Sequence, residues 1–212
     1  MPDYQGKFIV FEGGEGTGKT TQIQLLADKL KQNGFNVYLT REPGGMGCPI
    51  AEKIRALLKD PENRDMTPET ELFLFLASRA QHVKKVIIPH LERGDIVVCD
   101  RFFGSTFAYQ HFGRGLFNLD EVKKINDFAI HGLEPDLTIL LDLPPEEGLK
   151  RIESEIKKDR FDSEKLEFHK KVRTGNLTLA KIKPNWTLID ARGTINDIHD
   201  KIWNATVELL DL

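Results

Sequence analysis

Five short apolar runs punctuate the chain, and all are continuous rather than alternating with polar residues: Phe8 to Phe11, Asn36 to Thr40, Asp95 to Asp100, Leu137 to Leu143 and Trp186 to Asp190. Continuous apolar runs of this length are expected where a strand is covered on both faces. Helical periodicity follows each of them. Repeated strand–helix alternation predicts an α/β chain built as a three-layer, doubly wound, mainly parallel sheet of five strands. Such sheets bind ligands beyond the carboxyl ends of their strands. Glu12, Arg41, Asp100, Arg101 and Asp142 all fall there.

Two segments stand outside that alternation. Thr67-Pro68-Glu69-Thr70 is a helix start, with Thr67 as the cap and Pro68 at the first helical position. The pattern it opens runs to about Val86 and carries Arg79. The second segment, Lys150 to Arg173, is dense in charge. It reads either as a solvated helix face or as a lid over phosphates, the lid occupying about residues 150–163 of one domain spanning 1–212.

Bulk properties narrow the functional classes. A net charge of −3 over 212 residues argues against a general nucleic-acid binder. No apolar run reaches membrane-spanning length, and Met1-Pro-Asp-Tyr4 lacks the regions of a signal peptide. Cys48 and Cys99 are too few for a disulfide framework, so reduced thiols in a cytoplasmic protein are expected.

The first apolar run leads into the richest chemistry. Gly13, Gly18, Lys19 and Thr20 satisfy G-x-x-x-x-G-K-[ST], with Gly14, Glu15, Gly16 and Thr17 inside the loop and Thr21 after it. Glycines let backbone N–H groups turn around phosphate oxygens, and the following helix adds its positive end. Lys19 is suited to the β- and γ-phosphates, and Thr20 offers a hydroxyl to Mg²⁺. The bland alternative is a glycine-rich turn that matches by chance; the strand before it and helix after it favour a nucleoside triphosphate site.

A guanine-reading Asn-Lys-x-Asp, which a GTPase switch needs, is missing from the sequence. Arginines instead close two strands: Arg41 in Thr-Arg-Glu-Pro-Gly-Gly45 and Arg101 in Asp-Arg-Phe102. A lone arginine there is more often a surface ion pair. Two beside a triphosphate loop suggest a second phosphate site and hence transfer between phosphates.

These motifs, with Ser-Arg-Ala-Gln-His82, Ala-Tyr-Gln110, Gly-Arg-Gly115 and Pro-Asp-Leu-Thr-Ile-Leu-Leu-Asp-Leu-Pro-Pro145, make the chain resemble the bacterial thymidylate kinases from Phe8 to about Ile202. The resemblance implies a nucleoside monophosphate kinase fold with a short lid, ATP as donor, Mg²⁺, dTMP as acceptor, and a homodimer. It also implies roles. Phe75 would stack on the thymine, and Arg79 would bond its exocyclic oxygen. Ser105 and Thr106 would face the N3 side of the base, and Tyr109 would exclude a 2′-hydroxyl. Glu15 would take the 3′-hydroxyl, while Arg41 and Arg101 would hold the acceptor phosphate. Asp100 would act through Mg²⁺ and its waters, or else cap a helix.

Some members of that family carry an arginine directly after the acidic residue of the loop, where this chain has Gly16. The lid must then supply the cation. Arg160, with Lys157 and Lys158 as neighbours, is the expected residue, and Arg151 the other candidate. Arg192, in Asp190-Ala-Arg-Gly193, lies in the region resembling the adenine side. Met46, Phe102 and Asn176 depart from the usual residues near the acceptor pocket. The rival readings are a kinase of another monophosphate such as dUMP or UMP, a nucleoside kinase with Glu12 or Glu15 as base, and a nucleotide switch.

Overall fold

The computed structural model describes residues 4–115, 118–153, 160–161 and 164–212. Lys157, Lys158 and most of the expected lid lie outside the described residues. Strand β1 (Lys7–Glu12) leads into helix α1 (Lys19–Gln32), and β2 (Val37–Arg41) into α2 (Pro49–Lys59) and α3 (Pro68–His82). A π-helical turn (Val83–Ile87) joins α3 to α4 (Ile88–Glu92), after which comes β3 (Ile96–Asp100). Next are α5 (Phe103–Thr106), a second π-helical segment (Phe107–Gly113), α6 (Leu119–Ile130), β4 (Leu137–Asp142), α7 (Pro145–Arg151), α8 (Leu166–Ile182), β5 (Trp186–Asp190) and α9 (Ile195–Leu210).

The five strands form one parallel sheet in the order β2-β3-β1-β4-β5, as the apolar runs predict. Alternate residues of each strand enter different cores. Phe8, Val10, Val97 and Cys99 pack with Val83, Ile87 and Leu91 on one face. Ile9, Phe11, Val98 and Ile139 pack with Leu26 and Leu30 of α1 and with Ile198 and Ile202 of α9 on the other. A strand buried on both sides has no polar face to show, which is why the runs do not alternate. Among the described residues, no helix is long and apolar enough to cross a membrane.

The helix predicted to end near Val86 instead continues as helical turns to Glu92. Pro89 has no N–H to donate, and the π-helical turn before it shifts the ladder so that the proline falls in the first turn of α4. Thr67 caps α3 as expected, accepting from the N–H of Thr70.

Register places the chemistry. Phe11 and Arg41 both pair with Asp100, so Glu12, Arg41 and Asp100 emerge side by side at the carboxyl ends of their strands. Asp142 pairs with Asp190 beyond them.

Candidate active site

The loop between β1 and α1 is shaped by backbone that only glycine adopts without strain. Gly13, Gly16 and Gly18 have φ of 144°, 68° and 85°. A Cβ on Gly13 would also stand 2.5 Å from the carbonyl oxygen of Leu141. Lys19 folds back into the loop, its Nζ donating to the carbonyls of Gly13 (3.1 Å) and Gly14 (2.8 Å). Thr17 ties the turn by donating to Gly14. Burial, and then the neighbouring Arg101, push the Lys19 ammonium below its ordinary pKa.

Arg101 follows β3, the strand paired with β1, and its φ of 69° is left-handed although it is not glycine. Such backbone persists only where its surroundings hold it. The support comes from Glu12, whose buried carboxylate accepts from the N–H of Phe102 (3.0 Å), the N–H of Ser105 (3.0 Å) and the Ser105 hydroxyl (2.7 Å). Burial raises the Glu12 carboxyl, although the Ser105 and Phe102 bonds and Arg101 oppose that shift. Held in this way, Arg101 donates to the Gly13 carbonyl (2.9 Å) and to Glu15 (2.7 Å). Glu15 also accepts from the Tyr109 hydroxyl at 2.7 Å. Burial alone would raise Glu15, yet Arg101 and Lys19 outweigh it and hold the carboxyl at about 2.

These groups border a cleft of about 640 Å³. Glu15, Gly16, Thr17, Gly18, Lys19, Thr20 and Thr21 line one side. Arg41, Phe75, Asp100, Arg101, Ser105 and Tyr109 line the rest, so most of the residues expected from the sequence converge. Arg41 is paired with Glu52 at 3.1 Å. Oδ1 of Asp100 is buried and has no hydrogen-bond partner among the described residues. An orphaned carboxylate oxygen with the Thr20 hydroxyl on the same cleft suits Mg²⁺, which takes few protein ligands and completes its shell with phosphates and water.

Four expected residues make contacts of their own within the protein. Arg79 is buried at 1% exposure and does not line the cleft. Its guanidinium donates to Glu42, to Thr106 and Asn126, and to the carbonyl of Phe102. A buried arginine needs such partners. Those partners hold the guanidinium inside the protein, and the Thr106 hydroxyl is taken up among them. Arg160, expected over the phosphates, donates instead to the carbonyl of Leu58 (3.1 Å) and pairs with Glu71 (2.6 Å). Glu71 is buried, and although burial opposes its charge, Arg114, Gln110 and Arg160 keep its pKa below the ordinary value. Arg192 is exposed and pairs with Asp190.

Arg151, by contrast, reaches the carbonyls of Gly16 and Ala191, joining the phosphate loop to the loop after β5. Asp142 is taken by Arg173 through two bonds of 2.8 Å.

Sequence reasoning missed Glu12 as the brace for Arg101, and it missed Arg55, Lys59, Gln110, Ile152 and Phe161 on the cleft. For Arg55 and Lys59 a signal existed: with Glu52 they stand three and four residues apart, on one face of α2.

A strand, a glycine loop holding a lysine, and arginines facing it from the neighbouring strand ends define a phosphotransferase of the nucleoside monophosphate kinase class. Within that class the chain belongs to the thymidylate kinase family, whose model matches residues 11–202. It is 47% identical to the thymidylate kinase of Syntrophotalea carbinolica over 97% of both chains. It is 48% identical to that of Geotalea daltonii over 97% of this chain and 99% of the relative, and 44% identical to that of an Exiguobacterium species.

Proposed function

We propose that the cleft carries the family's reaction with its two nucleotides meeting between Lys19 and Arg101. The enzyme transfers the γ-phosphoryl group of ATP to dTMP, giving dTDP and ADP, with Mg²⁺. The observation supporting this placement of the substrates is the cleft itself. It joins the triphosphate loop to a second cationic wall, Arg41 and Arg101, and to an aromatic wall, Phe75 and Tyr109.

The loop N–H groups and Lys19 cradle the donor phosphates. Arg41 and Arg101 hold the acceptor phosphate, Phe75 carries the thymine face, and Tyr109 with Glu15 borders the deoxyribose. Thr20 and Asp100 hold Mg²⁺, which neutralises phosphate charge when bound. Arg151 steadies the donor side, where Arg192 lies at the rim. An acceptor phosphate is already ionised at neutral pH, so no general base is required. The barrier lies in bringing two anions together, and preorganised cations lower it. Arg160 takes no phosphate role here, because its guanidinium is committed to Glu71 and Leu58.

The chain acts as one domain, as a homodimer, in the cytoplasm. What supports the dimer is a run of exposed apolar side chains on neighbouring helices: Ile50 and Leu57 on α2, Phe73 on α3 and Phe128 on α6.

The test is ADP release with ATP and Mg²⁺ against dTMP, dUMP, UMP, dGMP and thymidine. Turnover highest with dTMP and much lower with UMP is expected. Preference for another monophosphate would overturn the base and sugar assignments.

A further inference from the structure

Phe161 stands in the wall of the cleft although it comes from the charged segment rather than from the sheet or its helices. Its ring is 8% exposed and lies against Phe75 (centroids 5.8 Å apart, 59° between planes) and against Tyr109 (6.0 Å, 84°). The residue before it is anchored. Arg160 reaches Leu58 of α2 and Glu71 of α3, with its own guanidinium 4.7 Å from the Phe161 ring centroid. Glu71 is in turn held by Gln110, which also lines the cleft, and by Arg114.

We infer that Phe161 is a binding residue for the acceptor pyrimidine, held against Phe75 and Tyr109 by the Arg160–Glu71 ion pair. Arg160 is thereby a positioning residue. The inference rests on the reading of this end of the cleft as the acceptor site. Phe161 meets Tyr109 edge to face and Phe75 at a tilt, a corner that suits a flat heterocycle. The Glu71 carboxylate, already fixed by Arg114 and Gln110, is a rigid anchor for Arg160.

Steady-state kinetics with dTMP and ATP varied separately will test this, on Phe161→Ala, Phe161→Leu, Phe75→Ala, Arg160→Gln and Arg160→Lys, with a melting temperature for each. Phe161→Ala should raise the KM for dTMP roughly 3- to 10-fold, the worth of one or two aromatic contacts, and leave the KM for ATP and kcat within about twofold. Leucine should restore part of the loss. Arg160→Gln should reproduce the same split, and lysine should soften it. If Phe75→Ala raises the KM for dTMP while Phe161→Ala leaves it unchanged or lowers it, the acceptor site stands and the inference falls. If neither variant moves that KM, the acceptor reading itself falls. A lower kcat with unaltered KM in Arg160→Gln would return that side chain to the phosphates and overturn its positioning role.

Discussion

The guanidinium of Arg101 stands 2.7 Å from the carboxylate of Glu15, joining the end of β3 to the phosphate loop. That one contact sets the electrostatics of the cleft. It fixes the fork of Arg101 and keeps Glu15 ionised.

The pair also has a signature in acid. The Glu15 carboxyl lies at about 2 in the folded chain, below its ordinary value near 4.5. A depressed carboxyl contributes stability that is complete above its unfolded pKa and is lost as pH falls through the folded one. The melting temperature should therefore drop between about pH 4.5 and 2. Glu15→Gln should start lower at neutral pH and show a flatter acid limb across that window. Calorimetry from pH 7 downward checks this, and equal slopes for both proteins would contradict it.

Glu12 makes a separate prediction. Glu12→Ala removes the acceptor of the Phe102 and Ser105 N–H groups, at about 1–3 kcal/mol for each group left unpaired. Arg101 then loses the support for its left-handed backbone, so kcat should fall together with stability. Glu12→Gln keeps one accepting oxygen and should fall between alanine and the parent in both melting temperature and kcat.

Asp100→Asn should weaken the response to Mg²⁺ while leaving the fold intact, because Oδ1 has no hydrogen-bond partner to lose among the described residues. The Mg²⁺ concentration for half-maximal ADP release should rise roughly 10- to 100-fold. Thr20→Ala should move it in the same direction. An unchanged Mg²⁺ titration in Asp100→Asn would assign this carboxylate a purely structural part.

Tyr109 separates sugar from base. UMP and dUMP differ only at the 2′ position, so the ratio of their kcat/KM values reads the crowding by the Tyr109 ring. Tyr109→Ala should narrow that ratio. Tyr109→Phe keeps the ring and should preserve the ratio, while the lost bond to Glu15 raises KM for the acceptor by about 2- to 10-fold.

The strands were legible to within a residue or two because a buried parallel strand has no choice of composition. Trp186 to Asp190 was read with the bounds the structure shows. The phosphate loop was legible because its chemistry is contiguous, with Gly13, Gly16 and Gly18 answering backbone demands within six residues of Lys19. Helix faces were harder. Phe75 and Arg79 are one turn apart on α3, and the family resemblance put both on the base site. The structure puts the ring on the cleft and buries the guanidinium, because Glu42, Thr106 and Asn126 meet it from other parts of the chain.

By itself, the sequence determined the α/β class, the strand positions, the phosphate loop and the family. Each of these is written in neighbouring residues, where steric demand and hydrogen bonding act over a few bonds. Only the tertiary structure decided that Glu12 braces the turn after Arg101, that Arg79 is buried against Glu42, and that Arg160 pairs with Glu71. These pairings span 37 to 90 residues of chain. A charged side chain that long can reach several partners, and which one it meets is settled by how packing removes the others from water.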